Sequence, residues 1–528
     1  MALEIKTIIN EKTLRLELSG RLDAMTAHQL EKVFKASATG MTSKVVFDFS
    51  NLEYIASAGL RSLLSFNKQM SKRGGTIKIL NPNPEVLEVF DMTGFNKFFD
   101  ITHKEFSNSE LYPLRPIQRW FVDTHFKKAK STMMNNGALL KLDPYISMER
   151  MAKAINDTIN NHDIFRCRLT FHPETSDICQ RFDGEILPVN VENITDAEFE
   201  RRRQKLKEPY HLIDAPLYRI YLFKTPTAKY LYLDFYHAIM DGTAIIMLFR
   251  REIDLRYRRR EIKRQPLHYS DYILQEQQIS GEQLAEGHKY WREMLSGFNV
   301  NEQIPPSDIA GAGAWKQNTI KYKIKNITEE YFRKKIRRET PFFLAASMLA
   351  LKKATRQPTC IMSWIHNGRK TANEMRLMGL MINQLPIKWE FEKDTTAGNF
   401  LDDLEVEMQH ELAYSNSLDV VYNENLEDDC VTFIFQKYAN DNETESNIQI
   451  GGNAEILYMP PNSVSAIENA LDIKVNPEGD GTYTLVLDYD ASRYSENFMR
   501  QFAASIDEVI LNLQNESLMI SKITNQQN

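Results

Sequence analysis

Residues 236–244 read YHAIMDGTA and place a histidine, an aspartate and a glycine where an alternating run gives way to a helical one. An imidazole held at an open loop, near its natural pKa, can take a proton from an incoming nucleophile at neutral pH. Asp241, four residues beyond His237, can fix such a loop by pairing with a distant cation, and Gly242 allows a tight backbone turn. No serine or cysteine adjoins His237, so no covalent nucleophile is offered. The chemistry that fits is direct attack of an amine or alcohol on an activated acyl group, with backbone groups near the loop stabilising the oxyanion. The competing reading is structural: a strand, a DG turn and a helix capped by Asp241 or Thr243. A single histidine leaves both open.

The flanking residues must position this loop. KYLYLDFYH alternates, which puts Leu231, Leu233, Phe235 and His237 on one face of a strand and Tyr232, Asp234 and Tyr236 on the other. Tyr236 is therefore expected to point away from His237. TAIIMLFRREIDLRY then begins a helix. Upstream, ISMERMAKAINDTINNHD sets Met148, Met151, Ile155 and Ile159 on one helical face. Downstream, TPFFLAASMLALKKAT starts another helix, with Thr340 as its cap and Pro341 at its first position. Between these, NVNEQIPPSDIAGAGAW (residues 299–315) is rich in Pro, Gly and small residues, and marks a crossing between two lobes that share an interface.

The first hundred residues have a texture of their own. LRLELSG and KVVFDF read as strands, MTAHQLEKVF as a helix with Thr26 a candidate cap, and SAGLRSLLSFNKQMSKRGG as a helix stopped at Gly74 and Gly75. TIKIL is a further strand and PEVLEVFDMTG a further helix, so the segment is a small α/β sheet with helices packed on it. Ser57 falls where the chain enters a helix, followed by Ala58 and Gly59, which leave its hydroxyl open. It reads either as a cap or as a phosphorylation target, since phosphate is tolerated at the positive end of a helix dipole.

The whole chain has 528 residues, too many for one ordinary domain, with 42% hydrophobic and 26% charged residues and a net charge of −6. That balance implies no general nucleic-acid binding. No apolar run approaches the roughly 18 residues that span a bilayer, and the N-terminus lacks the pattern of a signal peptide. Cys167, Cys179, Cys360 and Cys430 lie far apart without a CxxC pair, and read as buried thiols in a reducing compartment. A cytoplasmic protein is expected. The histidines form no cluster with metal-ligand spacing, and no GxxxxGK[ST] phosphate loop occurs, so neither a metal nor nucleotide hydrolysis is expected. His162 reads as part of a local turn network, and His366, before Asn367-Gly368-Arg369, as a packing residue or as one that approaches the site. The basic run RREIDLRYRRREIKR (250–264) reads as a solvated helix face or as a docking patch for an acidic carrier or a phosphate group.

Two resemblances sharpen these readings. LSGRLDAMTAHQLE, VVFDFSNLEYIASAGLRSLL and KRGGTIKILNPNPEVLEVFDMTGF, in that order, resemble the STAS domain of anti-sigma factor antagonists. That family is phosphorylated by a partner kinase at the serine of a D-S-S-G segment. Here Ala56-Ser57-Ala58-Gly59 keeps the acceptor as Ser57 and replaces the aspartate and second serine. YHAIMDG, in turn, resembles the HHxxxDG motif of condensation domains from nonribosomal peptide synthetases and of chloramphenicol-acetyltransferase-like acyltransferases. YPLRPIQRWF, NNHDIFRCRL, YSDYILQEQQ with KYWREML, SWIHNGR, MGLMINQLPIK and VLDYDASRYSENFMRQF continue that resemblance over about residues 110–520.

The resemblances imply an α/β chain in three parts: a STAS-like regulatory domain over 1–104, a condensation N-lobe carrying the HxxxDG loop over 108–298, and a C-lobe over 299–528. They imply His237 as catalytic base, Asp241 as the structural aspartate, Arg369 as its ion-pair partner, and Asn383 in the segment bridging to the first lobe. The first motif histidine is Tyr236. The implied activity is a stand-alone acyltransferase forming an amide or ester. Its donor would be an acyl group on a carrier-protein phosphopantetheine, with the carrier supplied in trans, or on coenzyme A, and no cofactor would be tightly bound. The alternative is a partner-switching signalling protein whose condensation-like part is catalytically idle, with an anti-sigma-type kinase acting on Ser57.

Overall fold

A computed structural model describes residues 3–525, except 11, 41, 81, 83–85, 87–88, 91–94, 96–98, 103–109, 129–130, 261, 263–266, 298–301, 312, 392, 424–430, 436–446 and 459–468. Most of PEVLEVFDMTG, the end of the basic run, parts of 299–315 and Cys430 lie outside the described residues. The chain forms two compact units, one built in the main from the residues up to Glu110 and the other from Leu111 onward.

The first unit is a five-stranded sheet in the order β1 (Glu4–Asn10), β2 (Thr13–Leu22), β3 (Lys44–Ile55), β4 (Thr76–Leu80) and β5 (Asp100–Thr102). β1 and β2 form an antiparallel hairpin and the remaining pairs are parallel. Alternate residues of β2 are buried, and Leu14, Leu16 and Leu18 meet Phe34 of α1 (Ala27–Ser37) and Phe66 of α2 (Ser57–Ser71) in one core. Gly59 is required by this packing, because a Cβ there would lie 2.7 Å from Leu22. Thr26 stands at the start of α1 without capping it, since its hydroxyl donates to the Arg21 carbonyl and accepts from the Asp23 amide. Nor does Ser57 cap α2: Ala56 holds that position, and Ser57 is the first helical residue, exposed.

The second unit opens with β6 (Tyr112–Pro113), α3 (Pro116–Lys127), β7 (Asn135–Lys141) and α4 (Met148–Asn161). Met148, Met151, Ile155 and Ile159 of α4 are all buried, as their helical spacing requires. After β8 (Arg168–Phe171), β9 (Ile178–Arg181) and β10 (Val191–Asn193), the hairpin β11 (Tyr218–Lys224) and β12 (Lys229–Tyr236) leads to the YHAIMDGTA loop. Helices α5 (Gly242–Met247), α6 (Asp254–Tyr257), α7 (Tyr269–Glu276) and α8 (Gly281–Met294) follow, with a π-helical turn over Leu248–Ile253 between α5 and α6.

Besides a three-stranded sheet in the order β6-β9-β8, the unit has a second six-stranded sheet. Its strands are β13 (Gln317–Lys323), β14 (Thr359–His366), β15 (Asn383–Glu390), β16 (Thr432–Phe435), β19 (Leu471–Pro477) and β20 (Tyr483–Asp490), ordered β13-β20-β19-β16-β14-β15. Helices α9 (Glu339–Thr355), α10 (Ala397–Ala413) and α11 (Glu496–Leu513) accompany it, and α9 is buried through Leu351. This helix begins two residues earlier than expected, at Glu339, so Thr340 is not its cap. Pro341 is the third helical residue, where its missing N–H still costs no intrahelical bond. The lobes are not divided cleanly at residue 299. β17 (Asn447–Gln449) and β18 (Asn453–Tyr458) join the first sheet, whose order is β10-β11-β12-β7-β18-β17. A strand takes whichever edge offers unpaired backbone groups, and that choice is invisible to local periodicity.

Candidate functional site

β12 delivers His237. Tyr236 is the last strand residue, and His237–Ile239 form a single 3-10 turn. Strand alternation therefore stops at Tyr236, which corrects the expectation that Tyr236 and His237 face opposite ways. Both meet α3. The His237 ring stacks on Phe121 with centroids 4.5 Å apart, while the Tyr236 hydroxyl donates to the Phe121 carbonyl at 2.9 Å and its ring meets His125 edge-on. Tyr236 is fully buried and its hydroxyl is satisfied, so it acts as a post between the strand and the helix.

His237 is 8% exposed. Its amide donates to the Met134 carbonyl at 2.8 Å, and Nδ1 is sealed from solvent without a partner in hydrogen-bonding geometry. Burial lowers its pKa below the ordinary histidine value, against opposing pulls from its own main-chain carbonyl and the Asp241 carboxylate. At neutral pH the ring is therefore an uncharged imidazole, the form able to accept a proton.

Asp241 is wholly buried and makes four bonds. Oδ1 caps α5 by accepting from the Ala244 amide at 2.8 Å, which selects Asp241 over Thr243 as the cap. The same oxygen accepts from Arg369 Nη2 at 3.2 Å, and Oδ2 accepts from Arg369 Nη1 at 2.9 Å and the Met381 amide at 2.8 Å. Arg369 also donates to the carbonyls of Asn367, Leu377 and Gly379, at 3.1, 3.2 and 3.3 Å. The pair ties the histidine loop to the turn after β14. Gly368 makes that turn possible: its φ is +71°, and a Cβ there would lie 1.6 Å from the Met381 carbonyl oxygen. Gly242, by contrast, is not among the glycines with positive φ. The tight-turn reason for it is corrected: it is the first residue of α5 and borders a small apolar slot with Phe235, Ile245 and Phe249.

Asn383 does not join His237. It begins β15, and its Oδ1 accepts from Arg115 Nη2 at 2.9 Å. Arg115 and Gln118 were missed by sequence reasoning although both stand in the quoted segment YPLRPIQRWF. Gln118 donates to the Ala238 carbonyl at 2.8 Å, directly behind His237. Arg115, Asn383 and Glu276 line a cavity of about 330 Å3 together with Ile117, Leu284 and Tyr422.

The other expectations resolve locally. The His162 carbonyl accepts from the Phe165 amide at 3.4 Å at the start of the 3-10 turn Asp163–Arg166, while its Nε2 lies 3.2 Å from the Glu252 carboxylate, on the π-helical turn. His366 accepts from the Gly368 amide at 3.1 Å, and burial lowers its pKa to about 4. Within the basic run, Arg256 pairs with Glu252 and Arg258 with Asp254, each one helical turn away, so these two charges are spent locally. Cys167, Cys179 and Cys360 are buried free thiols. Among the described residues no cluster suits a metal ion, and no helix is long and apolar enough to cross a membrane.

Residues 108–524, which contain this constellation, match the family model for the condensation domain. The chain belongs to the condensation-domain family. Residues 4–110 match the STAS domain. Surfactin synthase subunit 2 of Bacillus subtilis is 26% identical over 311 residues, covering 57% of this chain and 8% of that protein. Gramicidin S synthase 2 of Brevibacillus brevis is 22% identical over 355 residues, covering 64% of this chain and 8% of its own. The chain thus spans a small part of the length of these synthetases. Among solved structures, the condensation domain of monacolin K polyketide synthase superposes with a TM-score of 0.62 at 18% identity, covering 78% of this chain and 99% of that one. The starter condensation domain of rhizomide synthetase gives 0.61 at 16% identity, covering 78% and 98%. The epimerization domain from tyrocidine synthetase gives 0.59 at 18%, covering 79% and 98%. The expected two-lobed α/β condensation fold is thereby established, and one fold carries more than one chemistry.

Proposed function

We propose that the condensation unit transfers an acyl group from a thioester to an amine or alcohol. Members of this family form amide or ester bonds. The observation that carries the reading is the seat of His237 at the end of β12: stacked on Phe121, with Nδ1 sealed from solvent and burial holding its pKa below the ordinary histidine value, so that Nε2 is the nitrogen assigned to the substrate. Nε2 takes the proton of the attacking N–H or O–H as the new bond forms at the thioester carbon. The C–S bond then breaks, and the same nitrogen returns the proton to the departing thiolate. Asp241, fully engaged by Arg369, Ala244 and Met381, holds the loop without touching substrate. The donor arrives on the phosphopantetheine of a carrier protein in trans or on coenzyme A. The three buried free thiols suit a reducing cytoplasm. The test incubates purified full-length protein and its His237→Ala variant with acyl thioesters and acceptor amines, and measures acyl products by mass spectrometry. Equal turnover by a folded variant would remove His237 from the mechanism.

A second reading is favoured by Ser57, the exposed first residue of α2 in the STAS domain. Phosphate there faces free amides at the positive end of a helix. On this reading the chain is a partner-switching protein, a kinase modifies Ser57, and the condensation unit serves as a scaffold. A fold neighbour, the X-domain from teicoplanin biosynthesis, was solved in complex with OxyB, so this fold also supports a protein complex. Mass spectrometry of Ser57 in protein isolated from cells tests it: an unmodified serine, in protein that co-purifies with carrier proteins alone, would set it aside.

A further inference from the structure

Helix α3 starts at a residue poorly suited to start it. The N-cap favours Ser, Thr, Asp or Asn, whose side-chain oxygen accepts from the first amides of the helix. Arg115 holds that position with donors and no acceptor. Capping is left to Gln118, whose Oε1 accepts from the Arg115 amide at 2.9 Å. The guanidinium, 5% exposed, is turned instead into the second lobe. Nη1 donates to the carbonyls of Leu380 at 2.8 Å and Ile382 at 3.3 Å, and Nη2 donates to Asn383 Oδ1 at 2.9 Å. Nε and Nη2 together hold the Glu276 carboxylate of α7, at 2.5 and 2.9 Å. A buried cation is retained only where its donors are met, and here one fork serves four acceptors from two separate segments.

Three of those acceptors, Leu380, Ile382 and Asn383, lie on a segment that the histidine loop also grips. The Met381 amide, between the two carbonyls held by Arg115, donates to Asp241. At the other end of the same helical stretch, Gln118 holds the Ala238 carbonyl and Phe121 stacks on His237. Helix α3 therefore spans between the crossing segment Leu380–Asn383 and the base. On the reading that His237 is the base, we propose that Arg115 is a positioning residue: it locks Leu380–Asn383 onto the start of α3 and so fixes the seat of His237. Asn383 works through this lock, as an acceptor for Arg115, and does not contact substrate.

The test uses the full-length chain with Arg115→Ala and Arg115→Lys. NMR titration of 13C-labelled histidine follows His237, whose signal is assigned by its loss in His237→Ala. In Arg115→Ala, with its circular dichroism unchanged, the His237 titration moves up toward the ordinary histidine value as water reaches the ring. For acyl transfer, kcat falls by about tenfold or more with KM little changed, because alignment and not binding is lost. Arg115→Lys recovers part of both effects, since it restores the charge without the fork. A folded Arg115→Ala protein with an unshifted His237 titration overturns the proposal. If that variant does not fold, Asn383→Ala and Glu276→Gln each remove one partner, and an unshifted titration in both overturns it equally. Should wild type show no acyl transfer with any thioester, the acyl-transfer reading fails, while the NMR titration still decides the role of Arg115.

Discussion

Arg369 and Asp241 meet in a two-pronged ion pair at 2.9 and 3.2 Å, with both side chains wholly removed from solvent. They are 128 residues apart in the chain. Parallel N–H···O bonds in a dry site are strong and directional. Removing one partner strands a buried charge. Arg369→Ala is expected to destabilise the condensation unit by about 3–5 kcal/mol, read as a lower denaturant midpoint. Asp241→Asn keeps the cap acceptor for Ala244 but leaves Arg369 uncompensated and sets an NH2 against the Met381 amide, so a comparable loss is expected.

The His237 ring sets a pH dependence. Its pKa lies below 6.5, so the proton-accepting form persists to lower pH than for an exposed histidine. The rate of acyl transfer should stay level above about pH 6.5 and fall only below it, toward the depressed pKa. Stability follows the same sign: between the two pKa values the unfolded chain binds more protons, so stability drops as pH falls. A rate profile of kcat against pH, with His237→Ala as the baseline, measures the first effect.

Asp234 behaves oppositely. Burial raises its carboxyl to about 6, although Arg219 and Asn135 hold it. The folded protein then keeps a proton that the unfolded chain releases, so this group's contribution falls as pH rises from about 4 to about 6. The displaced equilibrium corresponds to about 2–3 kcal/mol at 1.36 kcal/mol per pKa unit. Urea titrations of wild type and Asp234→Asn across that range should show the slope in the first and its loss in the second.

Two glycines with similar φ should respond differently to alanine. At Gly74, with φ +69° and nothing within 4 Å of a Cβ, Gly74→Ala should cost about 1 kcal/mol from backbone strain alone. At Gly368, with φ +71° and the Met381 carbonyl oxygen in the way, Gly368→Ala should cost about 3 kcal/mol or more and displace Arg369. Thermal melts of the two variants separate the cases.

Tyr236 occupies the place of the first motif histidine as a post on α3. Tyr236→Phe removes its bond to the Phe121 carbonyl and should destabilise by about 1 kcal/mol. On the proposed role of His237, acyl-transfer rates should fall far less than in His237→Ala, since the lost hydroxyl touches the Phe121 carbonyl and not the His237 ring. Melting temperature and turnover, measured on the same two variants, give the comparison.

Much of the fold is legible in the chain because local patterns are faithful where burial is one-sided. The alternation in β2 and the methionine–isoleucine face of α4 each name their buried residues. Ser57 and Thr340 mark the limit, since a helix starts where tertiary contacts let it, within a residue or two of its sequence signals. Tyr236 shows another limit: alternation holds only while the strand does, and the 3-10 turn at His237 ends it.

The sequence by itself determined that His237, Asp241 and Arg369 belong to one recognisable constellation, because their spacing within motifs is a property of the chain. Only the tertiary structure decided how they are held. Arg369 finds Asp241, Met381 finds the same carboxylate, and Arg115 reaches across to Asn383, over separations of 128, 140 and 268 residues. No local period records such contacts. They follow from the obligation of each buried charge and amide to find a partner once water is excluded, and which partner is nearest is settled by the packing of the whole unit.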